Sequence, residues 1–136
     1  MDFTYNVEGG DFTNAGSVSS NVKKMLKQLG VNPNVIKRTV VALYEAEVNI
    51  VAHARRGVIT VNIFEDKIYI KLEDEGDGIP DINQAMQKGY STASPKVREM
   101  GFGAGMGLPN MQSNTDSLII NSVVGTGTTV EMTNYF

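Results

Sequence analysis

VITVNIFEDKIYIKLED, residues 58–74, sets Ile59, Val61 and Ile63 against Val58, Thr60 and Asn62, and then Ile68, Ile70 and Leu72 against Lys67, Tyr69 and Lys71. Successive side chains of a strand point to opposite faces, so each arm has one face to bury and one to leave wet. The arms are rich in β-branched and aromatic residues, and Glu65-Asp66 is the turn between them. The stretch therefore reads as an antiparallel hairpin.

Toward the N-terminus, NPNVIKRTVVALYEAEVNIVAHA is helical from about 33 to 55, with Asn32 as N-cap, Pro33 at the first position and Gly57 as the stop. Before it, SVSSNVKKMLKQLG places Val18, Val22, Met25, Leu26 and Leu29 at helical spacing, with Gly30 as C-cap. Residues 2–8, DFTYNVE, read as a short strand closed by Gly9-Gly10. Beyond the hairpin, EGDGIPD is a turn and INQAMQKG a short helix. YSTASPKVREMGFGAG is too long and irregular for a connector and reads as a lid. GLPNMQSNTD is a helix starting near 106–108, and DSLIINSVVG with GTTVEMTNYF forms a second hairpin around Gly125-Thr126-Gly127. The order β-α-α-β-β-α-lid-α-β-β gathers the strands in hairpins. It predicts an α+β two-layer sandwich, a mixed, mainly antiparallel sheet covered on one face by helices, in one domain spanning 1–136.

Bulk properties bound the function. A chain of 136 residues can bury a real core. The net charge of −3 gives no sign of nucleic-acid binding. The absence of cysteine excludes a disulfide scaffold and zinc–thiolate sites and fits a reducing cytoplasm, the expected location. The N-terminus lacks a secretory signal pattern, and no apolar run approaches the roughly 20 residues of a membrane span.

Four features could carry chemistry. On the long helix Ile36, Val40, Leu43, Ile50 and Ala54 share an apolar side. Glu45, Asn49 and His53, four apart, line the other, among the small Ala42, Ala46 and Ala52. Polar groups among alanines suggest a helix buried on both sides, with a polar pocket on the second. A single polar row is more often a solvated face. Glu47 falls near the apolar side and breaks the pattern. Second, Asp74 directly follows a strand, and Gly76 and Gly78 allow a sharp turn with close backbone approach. A carboxylate so fixed can accept a hydrogen bond from a ligand's amino group, although an Asp-Gly turn alone is a weak signal. Third, GFGAGMGLPN (101–110) leaves alternate positions bare and exits into a helix. It is either a flexible surface loop or a phosphate-wrapping loop with free N–H groups and a helix dipole. It is neither a Walker A loop nor a Rossmann turn. Fourth, GTGTT (125–129) offers hydroxyls at a hairpin.

In order and spacing, ExxxNxxxH on a helix, DxGxG, a lid ending in GxGxG and GTGTT resemble the GHKL (Bergerat-fold) ATP-binding domain over nearly the whole chain. Within it the chain is similar to the stand-alone serine/threonine kinases of bacterial partner-switching systems, the anti-sigma factor class. AMQKGYST, GMGLPNMQ and VVGTGTTVEM look closest to the RsbT branch. The resemblance implies ATP and Mg2+ as cofactors, with Glu45 as general base and Asn49 as magnesium ligand. His53 falls at the site's edge or is a plain packing histidine. Asp74 takes the adenine amino group, with Gly76, Gly78 and Ile79 in the adjoining turn. Gly103, Gly105, Met106, Gly107 and Leu108 form the phosphate-covering loop, and Thr128 lies near the adenine. Lys96 or Arg98 in the lid would reach the γ-phosphate, and the motif does not say which.

It further implies a kinase acting on a seryl or threonyl hydroxyl of a STAS-domain antagonist. A sigma factor or a PP2C-type phosphatase is a further possible partner, and a homodimer a possible state. Neither nucleic acid nor membrane is implied. The competing reading is a nucleotide-dependent anti-sigma or partner-binding module with little turnover. A histidine kinase would need a phospho-acceptor hairpin ahead of the domain, and a gyrase- or MutL-type machine a transducer domain.

Overall fold

A computed structural model describes residues 1–87 and 107–136. Its elements are β1 (Asp2–Glu8), α1 (Ser17–Gln28), α2 (Pro33–His53), β2 (Ala54–Ile63), β3 (Lys67–Gly76), α3 (Ile82–Ala85), α4 (Gly107–Ser113), β4 (Ser117–Val123) and β5 (Gly127–Tyr135), with a single 3-10 turn at Phe12–Asn14. The lid segment lies outside the described residues apart from its exit into α4.

Residues 58–74 form the central hairpin. Ile59 stands opposite Leu72, Val61 opposite Ile70 and Ile63 opposite Ile68. All six are buried, and the alternate positions face away from the core. The sheet order is β1-β2-β3-β5-β4, and every neighbouring pair is antiparallel. The parallel component allowed for in a mixed sheet is thus absent among the described residues. β5 extends the buried stripe with Met132 opposite Ile70 and Val130 opposite Leu72.

Helix α2 lies over this stripe, with α1 and α4 also packed against it. Its 21 residues span about 32 Å. Asn32 caps it, its side chain accepting from Asn34 N at 2.8 Å, with Pro33 inside the first turn. The helix is buried on more than one side, as its alanines suggest. Ala42 and Ala46, however, are core residues, 0% and 3% exposed, rather than the lining of an open pocket. With two helices and the sheet all against α2, little of its circumference stays open.

The helix ends at His53 instead of 55, and β2 begins at Ala54 without a loop. Gly10 N reaches across at 2.8 Å to the terminal carbonyl of Val51. Gly57 is therefore a buried strand residue and not the helix terminator. A Cβ there would stand 2.9 Å from two carbons of Ile50, so the position lets β2 run beneath the helix. The end of α1 follows expectation. Gly30 has φ +72°, Gly30 N bonds Lys27 O and Val31 N bonds Leu26 O, which is a Schellman cap.

Glu47, which breaks the helical pattern, is 1% exposed. Its Oε2 accepts from Gly16 N at 2.9 Å and Val18 N at 3.2 Å. Its Oε1 accepts from Ser19 N at 3.1 Å and Ser19 Oγ at 2.7 Å. The carboxylate thus caps the N-terminus of α1 from a neighbouring helix. It satisfies donors that Gly16, with no side chain, cannot, and its charge matches the helix dipole. At the other end of α2, buried Asn134 donates to Thr39 Oγ1 at 2.9 Å and to Asn114 O at 3.0 Å, and accepts from Asp116 N at 2.8 Å. That clasp joins β5, α2 and the α4–β4 turn.

Removal of the Glu47 carboxylate leaves several buried donors without an acceptor. Glu47→Ala is expected to lower unfolding free energy by about 3 kcal/mol or more in urea titration, with unchanged m-value. A loss below about 1 kcal/mol would mean that water replaces the carboxylate.

Candidate functional site

Asp74 stands near the end of β3, half-buried, and its Oδ1 accepts from Thr128 N at 3.1 Å. Burial pushes its carboxyl above the ordinary carboxylate value, and the Thr128 N–H pulls the other way. One further hydroxyl completes this corner. Ser122 Oγ accepts from Ile79 N at 2.7 Å, lies 2.8 Å from Thr128 Oγ1 and donates to Gly127 O at 3.2 Å. Gly125 N also bonds Asp77 O at 2.8 Å. The DEGDGI turn and the β4–β5 hairpin are thereby locked together.

Two glycines make that closeness possible. A Cβ on Gly127 would fall 2.0 Å from Asp74 O. One on Gly78, at φ +78°, would fall 2.6 Å from Val123 O. Gly76 packs on the end of α2, where a Cβ would meet His53 O and Ala54 Cα at 3.2 Å. The Asp74 corner therefore abuts the C-terminal end of α2.

The other end of the site lies two turns back along that helix. Glu45 and Asn49 are half-buried and one turn apart. A Cβ on Gly107 would stand 3.6 Å from Glu45 Oε2 and 3.8 Å from Asn49 Oδ1, so the start of α4 sits directly beside both groups. Asn110 Nδ2 donates to Glu45 Oε1 at 3.2 Å. The amide of Asn49 has no hydrogen-bond partner among the described residues, which leaves its Oδ1 available to a cation. Glu45, Asn49 and the Asp74 corner thus follow one another along about 12 Å of α2.

Of the residues singled out in the sequence, Asp74, Gly76, Gly78, Ile79 and Thr128 meet in one corner, and Glu45, Asn49 and Gly107 in the other. His53 is exposed at the last position of α2, beyond Asn49 and next to the Asp74 corner. Leu108 turns its side chain into the core at 6% exposure, which leaves only its backbone to face a ligand. Lys96, Arg98, Gly103, Gly105 and Met106 fall outside the described residues. Sequence reasoning missed Ser122 and Asn110. Ser122 could have been sought as a polar residue at an inward-facing position of β4. Asn110 carries no pattern of its own. Among the described residues no cluster of acidic, His or Cys side chains could hold a metal ion unaided. A magnesium ion here would rely on Asn49 Oδ1 and on oxygens of a ligand. The hard, neutral amide oxygen fits that demand.

Residues 11–134 match the model of the histidine kinase-like ATPase domain. The anti-sigma F factor of Caldanaerobacter subterraneus subsp. tengcongensis is 40% identical over 99 residues, 69% of this chain and 66% of that protein, so the chain spans just under two thirds of that relative's length. The serine/threonine-protein kinase RsbT of Bacillus subtilis is 33% identical over 113 residues, 80% of this chain and 79% of its own. Two solved structures share the fold at low identity. The RsbU and RsbW domains of Rv1364c from Mycobacterium tuberculosis give a TM-score of 0.64 at 15% identity, covering 98% of this chain and 32% of that one. The SiaB-SiaC complex from Pseudomonas aeruginosa gives 0.60 at 9%, covering 98% and 89%. With the family model matched over nearly its whole length, the chain belongs to the histidine kinase-like ATPase domain family, an ATP-using family with anti-sigma factors and a serine/threonine kinase among its relatives.

Proposed function

We propose that the protein is an ATP-dependent serine/threonine kinase of a bacterial partner-switching system, acting on a hydroxyl of a STAS-domain antagonist. The observation that carries this reading is the carboxylate of Glu45 one turn from the amide of Asn49, both beside Gly107. ATP would lie along α2, its adenine amino group donating to Asp74 and its phosphates running toward Asn49. Glu45 would take the proton of the incoming hydroxyl as the γ-phosphoryl group transfers. Asn49 would hold a magnesium ion, which spreads phosphate charge when bound. Ser122 and Thr128 N fix the Asp74 corner, so the adenine acceptor needs no rearrangement on binding. Phosphorylation adds roughly two negative charges to the partner and so opposes its own binding surfaces.

A second reading is favoured by one contact. Asn110 Nδ2 donates to Glu45 Oε1 at 3.2 Å and so occupies a carboxylate oxygen that an incoming hydroxyl would need. In a partner-binding module with little turnover, that bond would persist when nucleotide is bound.

Radiolabelled ATP and a STAS-domain protein distinguish the two. The kinase reading predicts phosphoserine or phosphothreonine on the partner. Glu45→Ala should keep nucleotide affinity within about threefold and slow transfer by about 10²-fold or more. Parallel loss of affinity and transfer would contradict the base assignment, and absence of transfer by the unaltered protein would favour the binding module.

Burial raises the Asp74 carboxyl above its ordinary value, and only its ionised form is a full acceptor. Affinity for ATP should therefore fall as pH is lowered through that raised value and recover as pH rises. Calorimetric titration at a series of pH values from neutrality down into the carboxylate range should show this slope in the wild type and lose it in Asp74→Asn. An equal slope in both would place the adenine elsewhere.

A further inference from the structure

The molecule has a second recessed surface that the nucleotide site does not use. It is a groove of about 570 Å³ between α1 and α2, lined by Asn14, Ser20, Lys23, Val40, Val41 and Tyr44 among others. Its wall on α2 is apolar and its wall on α1 is hydroxyl-rich and basic. Glu47 lies buried between the same two helices, but all four of its hydrogen bonds come from the α1 terminus. Its charge is thus met by three backbone N–H groups and the Ser19 hydroxyl, and it does not point an unpaired carboxylate oxygen into the groove. Of the carboxylates that flank the groove in sequence, Glu45, next to Tyr44, accepts from Asn110 Nδ2 at 3.2 Å, and Asp11 is held by Asn14 Nδ2 at 3.2 and 2.9 Å.

Charge is segregated around this groove. From Ser17 to Tyr44 the chain carries Lys23, Lys24, Lys27, Lys37 and Arg38 and no carboxylate, although its net charge is −3. Arg38 is engaged by Asp116 at 3.2 Å. Lys23 lines the groove, and none of the four lysines has an ion pair among the described residues. Lys27 follows Lys23 by one turn of α1, and Lys37 precedes Val41 by one turn of α2, so both continue the two walls. The basic stretch thus stands apart from an acid-rich remainder of the same sequence, a segregation of charge that selects an acidic partner and orients it.

We propose that the α1–α2 groove docks an acidic segment of a partner protein, carboxylates on Lys23, Lys27 and Lys37 and apolar side chains on Val40, Val41 and Tyr44. A protein segment fits better than a lipid surface, because the apolar wall is recessed between two helices and cannot enter a bilayer. The proposal does not depend on phosphoryl transfer and holds for either reading above.

The test uses the full chain, 15N-labelled, and a fluorescein-labelled peptide of sequence Glu-Glu-Leu-Glu-Glu-Leu-Glu-Glu. Saturable binding is expected, with the amide shifts concentrated at Ser20, Lys23, Val41 and Tyr44, and weakening as salt is raised. The double substitution Lys23→Glu with Lys27→Glu should weaken peptide binding at least tenfold at unchanged melting temperature and unchanged ATP affinity. Lys67→Glu with Lys71→Glu, on β3, should leave it within twofold. Shifts spread over all lysines, retained affinity in the α1 double variant, or sedimentation with phosphatidylserine vesicles in place of peptide binding would overturn the proposal. None of these results bears on phosphoryl transfer, which the labelled-ATP experiment reads separately.

Discussion

The rotational setting of α2 about its own axis is the constraint on which the rest depends. Leu43, Ile50 and Val51 must enter the core, at 0%, 2% and 2% exposure, and Glu47 must meet the bare N-terminus of α1. Those demands fix where Glu45 and Asn49 emerge, because side chains two residues apart differ by about 200° around a helix. The cap on α1 and the pair beside Gly107 are thus two consequences of one orientation. A rotation of α2 large enough to bury Asn49 would pull Glu47 away from its donors and leave them unpaired in the core.

The direct passage of α2 into β2 adds a second restraint. With no loop between His53 and Ala54, the helix cannot slide along the sheet without moving β2. Gly9 and Gly76 both press on this junction, from the turn after β1 and from the Asp74 turn. The two ends of the site are therefore measured from one rigid object. That suits chemistry in which positioning and charge placement carry most of the acceleration.

Much of this was legible in the sequence, and what was not has physical causes. The period-two pattern of residues 58–74 gave the hairpin, its turn and its buried face, because a one-residue slip would have exposed Ile59, Val61 and Ile63 together. Asn32-Pro33 and Gly30 marked helix ends through local chemistry that needs no tertiary contact. The end of α2 was misread because Gly57 looks like a stop signal. Its reason is the non-local approach of Ile50. Ala42 and Ala46 were misplaced because a small side chain is compatible with either a pocket or a close helix contact. Glu47 could not be read at all, since its partners lie 28 to 31 residues away. Glu45, Asn49, Asp74 and Thr128 were singled out through the order of motifs. The Ser122 link between Ile79 and Thr128 is a matter of strand register and had no motif to betray it.

The roles of Glu45, Asn49 and Asp74 all depend on a nucleotide lying along α2. The most direct measurement is a crystal structure of the protein with magnesium and a non-hydrolysable ATP analogue. It should place the adenine amino group on Asp74, the metal on Asn49 Oδ1 and the terminal phosphate nearest Glu45. A nucleotide bound elsewhere, or a cleft between α2 and the start of α4 closed by packed side chains, would contradict it.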